Sequence, residues 1–291
     1  MAVGKTLIVG ASGFIGRALA ERLGPERCVA TYASKPRAGW HRFDIRTSDV
    51  TDLPLAGVTQ AVVLFGNTNP DACVRDPDDS RKVNVEGVVR VLDGLGERGI
   101  RCLYTSTEAV FDGLAGNYIE TDRPDPIMLY GQQKLAVERH LARCWPAAAI
   151  VRVAKVYGSR PDDGSLFDGW YREATQADSI RCAADFLSSM IHIDDVVNAV
   201  LAMFDMNLSG VYHLGGPEPV SRLDACAALL AALAERGAVR AKAVGCSIDD
   251  FPTLEKRPKN ISMISDKLTR ATGLSFRSMA DAAREFAALA P

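Results

Sequence analysis

The chain has 291 residues, of which 47% are hydrophobic and 24% charged, and its formal net charge is −2 at pH 7. These values are ordinary for a soluble globular protein with one large domain or two modest ones. A charge so close to zero gives no general attraction to nucleic acid or to acidic lipid. No apolar run approaches the roughly 20 residues that span a bilayer, and the first strand follows without signal-peptide regions, which predicts a cytoplasmic protein.

Cysteine and histidine spacing bears on metal sites and disulfides. The seven cysteines are spread evenly without a CxxC pair, and the four histidines show no HExxH-like spacing. Zinc sites and disulfide frameworks have characteristic spacings of these residues. The sequence therefore predicts free thiols in a reducing compartment and no protein-ligated metal.

A glycine-rich segment near the N-terminus, TLIVGASGFIG at residues 6–16, predicts a strand, a tight turn and a helix. Gly10 lets the strand turn sharply, Gly13 lets a ligand approach the backbone, and Gly16 lets the helix pack near the strand. The helix N-terminus then offers free N–H groups and a positive dipole end to a pyrophosphate. The spacing GxxGxxG departs from the dinucleotide fingerprint GxGxxG, so a glycine-rich turn without a ligand is the alternative.

The loop after the second predicted strand, residues 27–32, bears on the choice of nicotinamide cofactor. An acidic residue there would bind the ribose 2′-hydroxyl of NAD, whereas basic groups accommodate the 2′-phosphate of NADP. The chain has Ser34, Lys35 and Arg37 and no acid in this loop. The loop favours NADP, with ordinary exposed basic residues as the alternative.

The next two predicted strands end at residues 43–45 and 60–65. Asp44 could accept a hydrogen bond from an adenine amino group, or it could cap its loop. The buried pattern QAVVLF at 60–65 ends at Gly66, so its carboxyl end should reach the cofactor crevice. The amphipathic helix predicted for residues 80–98 carries Asn84, which is either a satisfied core polar group or a backbone brace near the site.

Two sets of candidate site residues follow in the middle of the chain. A strand predicted for residues 100–105 runs into Ser106, Thr107 and Glu108, and side chains at such strand ends face ligands in open α/β sheets. A polar loop then leads to a long helix that opens with Tyr130 and Lys134. Because positions i and i+4 share a helix face, the phenol and the ammonium point the same way. By itself this pair could also be a surface helix turn.

The last third supplies further elements but no second catalytic motif. We assign His192 no chemistry, because its acidic neighbours simply cap a helix. The other expected elements are a strand at 150–158, helices at 165–177 and 278–289, a strand at 210–216, a helix from a Ser221 cap to about 235, and a basic loop at 257–260.

Three motifs in this order, GxxGxxG at 10–16, Ser106-Thr107 after a strand and YxxxK at 130–134, resemble the extended short-chain dehydrogenase/reductases, in the NAD-dependent epimerase/dehydratase superfamily. The segments STEAVFDG, YGQQKLAVE, VYHLGG and RPKNI are similar to its dTDP-4-dehydrorhamnose reductase branch. The resemblance runs along nearly the whole chain. It implies an α/β fold, with a Rossmann-like doubly wound parallel sheet and a smaller α/β substrate-binding domain. We expect the NAD(P)-binding domain at 1–155, also receiving about 191–213, and the substrate-binding domain at 156–190 and 214–291.

The resemblance also implies roles for individual residues. Thr107 would hydrogen-bond the substrate carbonyl, Tyr130 would protonate its oxygen as hydride arrives, and Lys134 would hold the nicotinamide ribose. A nearby ammonium and a helix N-terminus favour phenolate, so we expect the Tyr130 pKa to move down from about 10 toward the working pH. The expected substrate-binding residues are Ser106, Thr107, Glu108, Lys155 and Arg257, the last two against a diphosphate or, alternatively, as solvated charges. The expected cofactor-binding residues are Gly10, Ser12, Gly13, Phe14, Ile15, Gly16, Ser34, Lys35, Arg37, Asp44, Ile45, Leu64, Phe65, Gly66, Thr105, Tyr130, Lys134 and Val153.

The function that the resemblance implies is NADP-dependent reduction of a nucleotide-diphosphate 4-keto-6-deoxy sugar, with NAD as the other cofactor. Related 4,6-dehydratases carry two adjacent acids after the threonine, whereas Glu108 is followed by Ala109, which argues against that reaction. The reductase branch commonly has Asp-Tyr there, so the exact sugar is open. Two alternatives stay: a nucleotide-sugar epimerase with tightly bound NAD, and a non-catalytic binding subunit like the regulatory subunit of methionine adenosyltransferase. The expected partner is a small nucleotide sugar, with no nucleic acid or membrane; a homodimer is an open alternative to a monomer.

Overall fold

A computed structural model of the protein describes residues 4–290, so the predicted domain limits at residues 1 and 291 lie outside the described residues. The strands are β1 (Lys5–Val9), β2 (Cys28–Tyr32), β3 (His41–Arg42), β4 (Val58–Val63), β5 (Arg101–Thr107), β6 (Ala149–Val153), β7 (Val156–Tyr157), β8 (Ser179–Ala183), β9 (Leu187–Ser188), β10 (Ile191–His192), β11 (Gly210–Leu214), β12 (Val220–Ser221) and β13 (Lys242–Cys246). The helices are α1 (Phe14–Leu23), α2 (Pro70–Arg75), α3 (Pro77–Arg81), α4 (Val88–Gly96), α5 (Leu129–Cys144), α6 (Leu166–Ala174), α7 (Ile193–Asp205), α8 (Arg222–Glu235), α9 (Asp266–Thr272) and α10 (Met279–Leu289). Among residues 4–290, no helix is long and apolar enough to cross a membrane.

The largest sheet has seven strands in the order β11-β6-β5-β4-β1-β2-β3. Strand β1 pairs in parallel with β2 and with β4, and the pairs β2 with β3 and β4 with β5 are also parallel. The order changes direction at β1, so the carboxyl ends of β1 and β4 flank the crevice where ligands bind in doubly wound sheets. The predicted α/β class with a doubly wound parallel sheet is confirmed.

The chain forms two compact units that interleave in sequence. The first comprises the described residues of Met1–Val110, Met128–Arg152 and Val200–Tyr212, and the second those of Phe111–Ile127, Val153–Ala199 and His213–Pro291. The segment Phe111–Ile127 belongs to the second compact unit, although in the sequence it precedes α5, which belongs to the first. The functional domain limits stay a prediction.

Each unit has its own hydrophobic core. In the first, fully buried residues of β1 and β4, such as Leu7 and Val63, pack with Leu92 and Leu95 of α4. In the second, a separate cluster contains Phe167 of α6 and Phe286 of α10, whose ring centroids lie 5.7 Å apart at an interplanar angle of 84°. Edge-to-face packing of this kind adds about 0.5–1.5 kcal/mol to the area that it buries.

Helix starts in the second unit follow local capping chemistry. Ser221 Oγ accepts a hydrogen bond from the backbone N–H of Asp224, as the sequence indicates for α8. Ser278 Oγ accepts one from Asp281 at the start of α10. Such caps satisfy N–H groups that the first helical turn leaves unpaired, so short-range sequence predicts them well.

Some predicted elements differ from the structure. The strand expected at 100–105 extends to Thr107, so Ser106 and Thr107 are strand residues. The strand expected at 150–158 divides into β6 and β7 with Ala154 and Lys155 between them, and β7 pairs with β10 outside the large sheet. The helix expected at 80–98 contains a π-helical turn, Lys82–Gly87, between α3 and α4. These departures depend on tertiary pairing and on one extra residue in a helical turn, which periodicity does not reveal.

A histidine of the second unit is buried in surroundings that disfavour its charged form. His192 is 1% exposed, its Nδ1 accepts a hydrogen bond from the backbone N–H of Asp194, and its Nε2 has no hydrogen-bond partner. Burial, followed by the charge of Arg277, lowers the His192 pKa below its usual 6.5, while Asp194, Asp195 and Glu285 oppose that shift.

We expect the free energy of unfolding to fall as pH drops below about 6.5. In this range His192 binds a proton in the unfolded protein but stays neutral in the folded protein. The free energy of unfolding stops falling below the pKa of His192 in the folded protein, because both states then bind the proton. Urea midpoints of the protein and of His192→Gln at pH about 7.5 and about 5.5 measure this term. The variant should lose part of the pH dependence, whereas the exposed control His41→Gln should not; equal pH dependence in all three proteins contradicts the prediction.

Candidate functional site

The glycine-rich turn follows β1 in the first unit. Gly10 has φ +90°, and a side chain there would approach the backbone of Phe65 to 3.2 Å. At Gly16, an added Cβ would lie 2.6 Å from the Cα of Ala11, which explains why α1 needs glycine at this crossing. Gly13 is exposed, has an ordinary φ of −72° and would meet only Gly10 O at 3.4 Å. Packing therefore requires glycine at 10 and 16, whereas at 13 glycine leaves the helix N-terminus open.

Most of the remaining residues expected at the dinucleotide lie at or after the carboxyl ends of strands β1 to β5. The basic loop is exposed, with the Arg37 guanidinium 5.0 Å from the ring centroid of Trp40. Asp44 Oδ1 accepts a hydrogen bond from the backbone N–H of Arg46, as a loop-capping aspartate would, and its contact with adenine stays a prediction. Thr105 is buried and donates to Val63 O at 3.1 Å. Ser12, Phe14, Ile15, Leu64, Phe65 and Gly66 are half-buried, and Ile45 is buried.

Thr107 and Tyr130, the two residues expected to contact the substrate carbonyl, lie together in the first unit. They are 8% and 9% exposed, and the Thr107 hydroxyl hydrogen-bonds the Tyr130 phenol. Burial raises the pKa of Tyr130 above its usual 10; the Thr107 hydrogen bond lowers it, and the nearby Cys73 and Glu108 raise it further. The expected downward shift was therefore wrong in direction, because desolvation of the phenolate outweighs the hydrogen bond that favours it.

Lys134 lies on the face of α5 that carries Tyr130. It is 3% exposed, and its Nζ donates to Thr105 O at 2.9 Å and lies 4.8 Å from the Tyr104 ring centroid. Burial lowers its pKa to about 8, against the opposing charge of Glu138. A Cβ added at Gly66 would lie 3.6 Å from Lys134 Nζ, so this ammonium reaches the end of β4. The i, i+4 spacing thus places a cation at the carboxyl edge of the sheet, next to Gly66.

A buried ion pair behind this site was not foreseen. Glu138, one turn after Lys134, receives hydrogen bonds from Arg152 of β6, with Arg152 Nη2 2.8 Å from Glu138 Oε2. Both side chains are at most 5% exposed. Ser106, expected to bind substrate, donates its hydroxyl hydrogen bond to Glu138 Oε1. The available signal was an arginine within the otherwise apolar run IVRVA, because a buried cation requires a partner.

A polar network fixes the other side of α5. Asn84, 0% exposed in the π-helical turn, donates to Gln133 Oε1 at 2.7 Å and accepts from the backbone N–H of Asn67 at 2.7 Å. Gln133 Nε2 in turn donates to Ser80 Oγ at 2.7 Å. Asn84 is therefore a brace that joins the loop after β4 to the helix carrying Tyr130.

We expect Gln133→Leu to lower the free energy of unfolding by about 1–3 kcal/mol, because the amide of Asn84 loses a buried acceptor. The urea midpoint measures the loss. Gln176→Leu, the same substitution at an exposed position after α6, should change it by no more than about 0.5 kcal/mol. Equal effects of the two substitutions would show that the network adds no stability.

The expected substrate-binding residues divide between the two units. Glu108 is buried in the short turn that follows Thr107 in the first unit. Lys155 is exposed and Arg257 half-buried in the second unit, to which Val153 also belongs. Among residues 4–290, no group of three or more His, Cys, Asp or Glu side chains is arranged to hold a metal ion. The residues brought together within one unit are thus Thr107, Tyr130 and Lys134, with Gly66 beside them.

Comparison with known proteins identifies a family that the chain matches over nearly its whole length. The family described as RmlD substrate binding domain matches residues 4–290. A dTDP-4-dehydrorhamnose reductase of Sinorhizobium fredii is 26% identical over 95% of this chain and 94% of the relative. Methionine adenosyltransferase 2 subunit beta of Danio rerio is 26% identical over 77% of this chain and 72% of the relative. A dTDP-4-dehydrorhamnose reductase of Bacillus anthracis in complex with NADP superposes with a TM-score of 0.80 at 22% identity, covering 97% of this chain and 98% of that one.

Proposed function

The chain belongs to the family described as RmlD substrate binding domain, and from this premise we propose that it is an NADP-dependent reductase of a dTDP-linked 4-keto-6-deoxy sugar. The observation that carries the proposal is the buried, hydrogen-bonded pair Thr107–Tyr130 with Lys134 on the same helix face. The full-length likeness to a dTDP-4-dehydrorhamnose reductase supports it.

The turn after β1 fits a dinucleotide phosphate. Helix α1 has ten residues, no acid in its first turn and no side-chain cap at Gly13. The N–H groups of the first turn therefore have no intrahelical partner. No carboxylate in this turn would repel a phosphate that binds to them. Since Gly13 is not required for packing, its missing side chain is best explained by a ligand that approaches the backbone.

Tyr130 would supply the proton of the reduction. A bound nicotinamide supplies the hydride to the carbonyl carbon, and the carbonyl oxygen then needs a proton to become a hydroxyl. Thr107 would hydrogen-bond that oxygen in the substrate and Tyr130 would protonate it. The raised pKa keeps the phenol protonated at neutral pH, which is the form that a general acid must have.

Lys134 would orient the nicotinamide ribose. With a pKa of about 8 its amine is mostly protonated at neutral pH, and one of its three donors is used by Thr105 O. The others are available for ribose hydroxyls at the edge marked by Gly66.

The basic loop would choose NADPH over NADH. We expect Lys35→Ala combined with Arg37→Ala to raise the KM for NADPH about tenfold or more, because charged hydrogen bonds contribute about 1.5–3 kcal/mol each. The KM for NADH should hardly change, since it has no 2′-phosphate. Initial rates with both cofactors measure this, with the double variant Arg240→Ala and Lys242→Ala, two exposed cations of the second unit, as the charge-matched control. A loss shared equally by NADPH and NADH would contradict a 2′-phosphate contact.

The function is tested with purified protein, NADPH and dTDP-4-keto-6-deoxy sugars. We expect oxidation of NADPH in step with formation of the 4-hydroxy sugar. Absence of both nicotinamide binding and NADPH oxidation overturns the proposal. NAD retained through gel filtration, with interconversion of nucleotide-sugar epimers, would instead identify an epimerase.

The likeness to methionine adenosyltransferase 2 subunit beta of Danio rerio favours one second candidate, a non-catalytic nucleotide-binding subunit. Co-purification with a synthetase and unchanged cellular function of Tyr130→Phe would support that candidate. Thr107, Tyr130 and Lys134 are all present and buried together, which favours catalysis.

A further inference from the structure

A cavity in the first unit lies far from the proposed reaction. It has a volume of about 310 Å³ and is lined where α4 and α5 end and β5 begins, by residues that include Leu92, Leu141, Trp145, Cys102 and Cys144. The carboxyl ends of the strands, which carry Gly10 and Thr107, form the opposite edge of the sheet. Along α5, Cys144 is 14 residues after Tyr130, about 21 Å at 1.5 Å per residue. The cavity is therefore separate from the cofactor and substrate site.

Asp93, His140 and Cys144 form a row of neighbouring side chains that reaches the cavity at Cys144, one of its lining residues. Asp93 Oδ1 accepts hydrogen bonds from His140 Nε2 and from Trp145 Nε1, both at 2.6 Å. If Nε2 donates its proton to the carboxylate, Nδ1 carries the lone pair. His140 Nδ1 lies 4.0 Å from Cys144 Sγ. The carboxylate thus orients an imidazole acceptor toward a thiol, the arrangement that activates a cysteine nucleophile.

The two thiols that line the cavity differ sharply. Cys102 is 6% exposed, donates to Ile100 O and has its pKa raised to about 12 by burial. A thiol in such surroundings is inert. Cys144 is exposed and has the imidazole beside it. A thiol must lose its proton to react as a nucleophile, and His140 is the acceptor in place beside Cys144.

We propose that Cys144 is a covalent modification site for apolar α,β-unsaturated carbonyl compounds, with His140 as the proton acceptor and the cavity as the site for the apolar part of the reagent. The Sγ attacks the β-carbon, an S–C bond forms, and the C=C π electrons move to the carbonyl as an enolate. The thiol proton passes through His140 to the α-carbon. The addition has no leaving group and needs no oxidant.

The apolar cavity selects this class of reagent. Its lining is mainly apolar, with leucine, isoleucine, tryptophan, cysteine, proline and alanine residues that offer burial to an alkyl or aryl group. The one charged residue of the lining is Arg101, whose Nη2 donates to Gln60 Oε1 and to Phe204 O, each at 2.7 Å, and is therefore already paired. Burying an aromatic group would raise the local concentration of the reagent at Cys144 about ten- to a hundredfold over a charged analogue.

The test uses the full-length protein and two maleimides with the same reactive ring, N-benzylmaleimide and N-carboxymethylmaleimide. Rates of labelling are followed by intact mass and assigned by peptide mapping, each divided by the reagent's rate with glutathione. We expect Cys144 to be labelled before the half-buried Cys246, with the benzyl reagent favoured about ten- to a hundredfold. Equal normalised rates, or labelling spread over the cysteines, overturns the proposal.

Two variants separate the parts of the site. His140→Gln should slow both reagents at Cys144 at least about tenfold, since it removes the proton acceptor. Ala147→Phe, an exposed cavity-lining position, should remove the preference for the benzyl group while leaving the charged reagent's rate unchanged. If His140→Gln fails to fold, Ala147→Phe decides alone, and a preference that survives it overturns the proposal. Cys144→Ser should leave NADPH oxidation unchanged, so failure here is distinguishable from failure of the proposed reductase.

Discussion

Tyr130→Phe is expected to lower kcat about 10²–10⁴-fold, the usual range for loss of a positioned general acid. The KM for the nucleotide sugar should change little, because the phenol acts mainly in the transition state. The ring remains packed against Cys73, Ala109 and Met128, so the substitution should leave the protein folded. The measurement is steady-state NADPH oxidation, with NADPH affinity from fluorescence titration as the check that cofactor binding survives.

The matched control is Tyr171→Phe, a half-buried tyrosine of α6 in the second unit. It should leave kcat within about twofold, because it removes a hydroxyl from a residue with no assigned chemistry. A Tyr130→Phe enzyme with normal kcat would remove the proton donor from the proposed mechanism and strengthen the non-catalytic alternative.

Glu138→Gln is expected to destabilise the protein by about 3–5 kcal/mol, because it leaves the buried Arg152 without a compensating charge. Urea denaturation followed by tryptophan fluorescence measures this loss. The double variant Glu138→Leu with Arg152→Met should recover much of the stability, since it removes both buried charges together. Loss of the carboxylate should also move the pKa of Lys134 further below about 8, because Glu138 is the charge that holds it up.

An exposed ion pair provides the control for this substitution. Arg81 Nε lies 3.1 Å from Glu86 Oε1, and these side chains are 67% and 52% exposed. Glu86→Gln should cost no more than about 1 kcal/mol, because water already solvates both partners. Similar losses at Glu138 and Glu86 would show that burial does not set the strength of the inner pair.

Local patterns in the sequence predicted the elements of the fold and the positions of its motifs. Gly10 and Gly16 follow from backbone geometry at a strand-to-helix turn, and Tyr130 and Lys134 share a face because four residues make about one helical turn. Serine caps such as Ser221 involve atoms within three residues. In each case the partners are neighbours in the chain, so the sequence contains the whole interaction.

The tertiary structure decided how these groups behave chemically. Glu138 meets Arg152, and Gln133 meets Asn84 across 49 positions, only because α5 packs beside β6 and the π-helical turn. The pKa of Tyr130 rises instead of falling because burial disfavours its phenolate, and burial is a property of the assembled core. The sequence by itself determined which side chains are available at the edge of the sheet; packing determined their partners and their charge, since desolvation and hydrogen bonding act between residues that are distant along the chain.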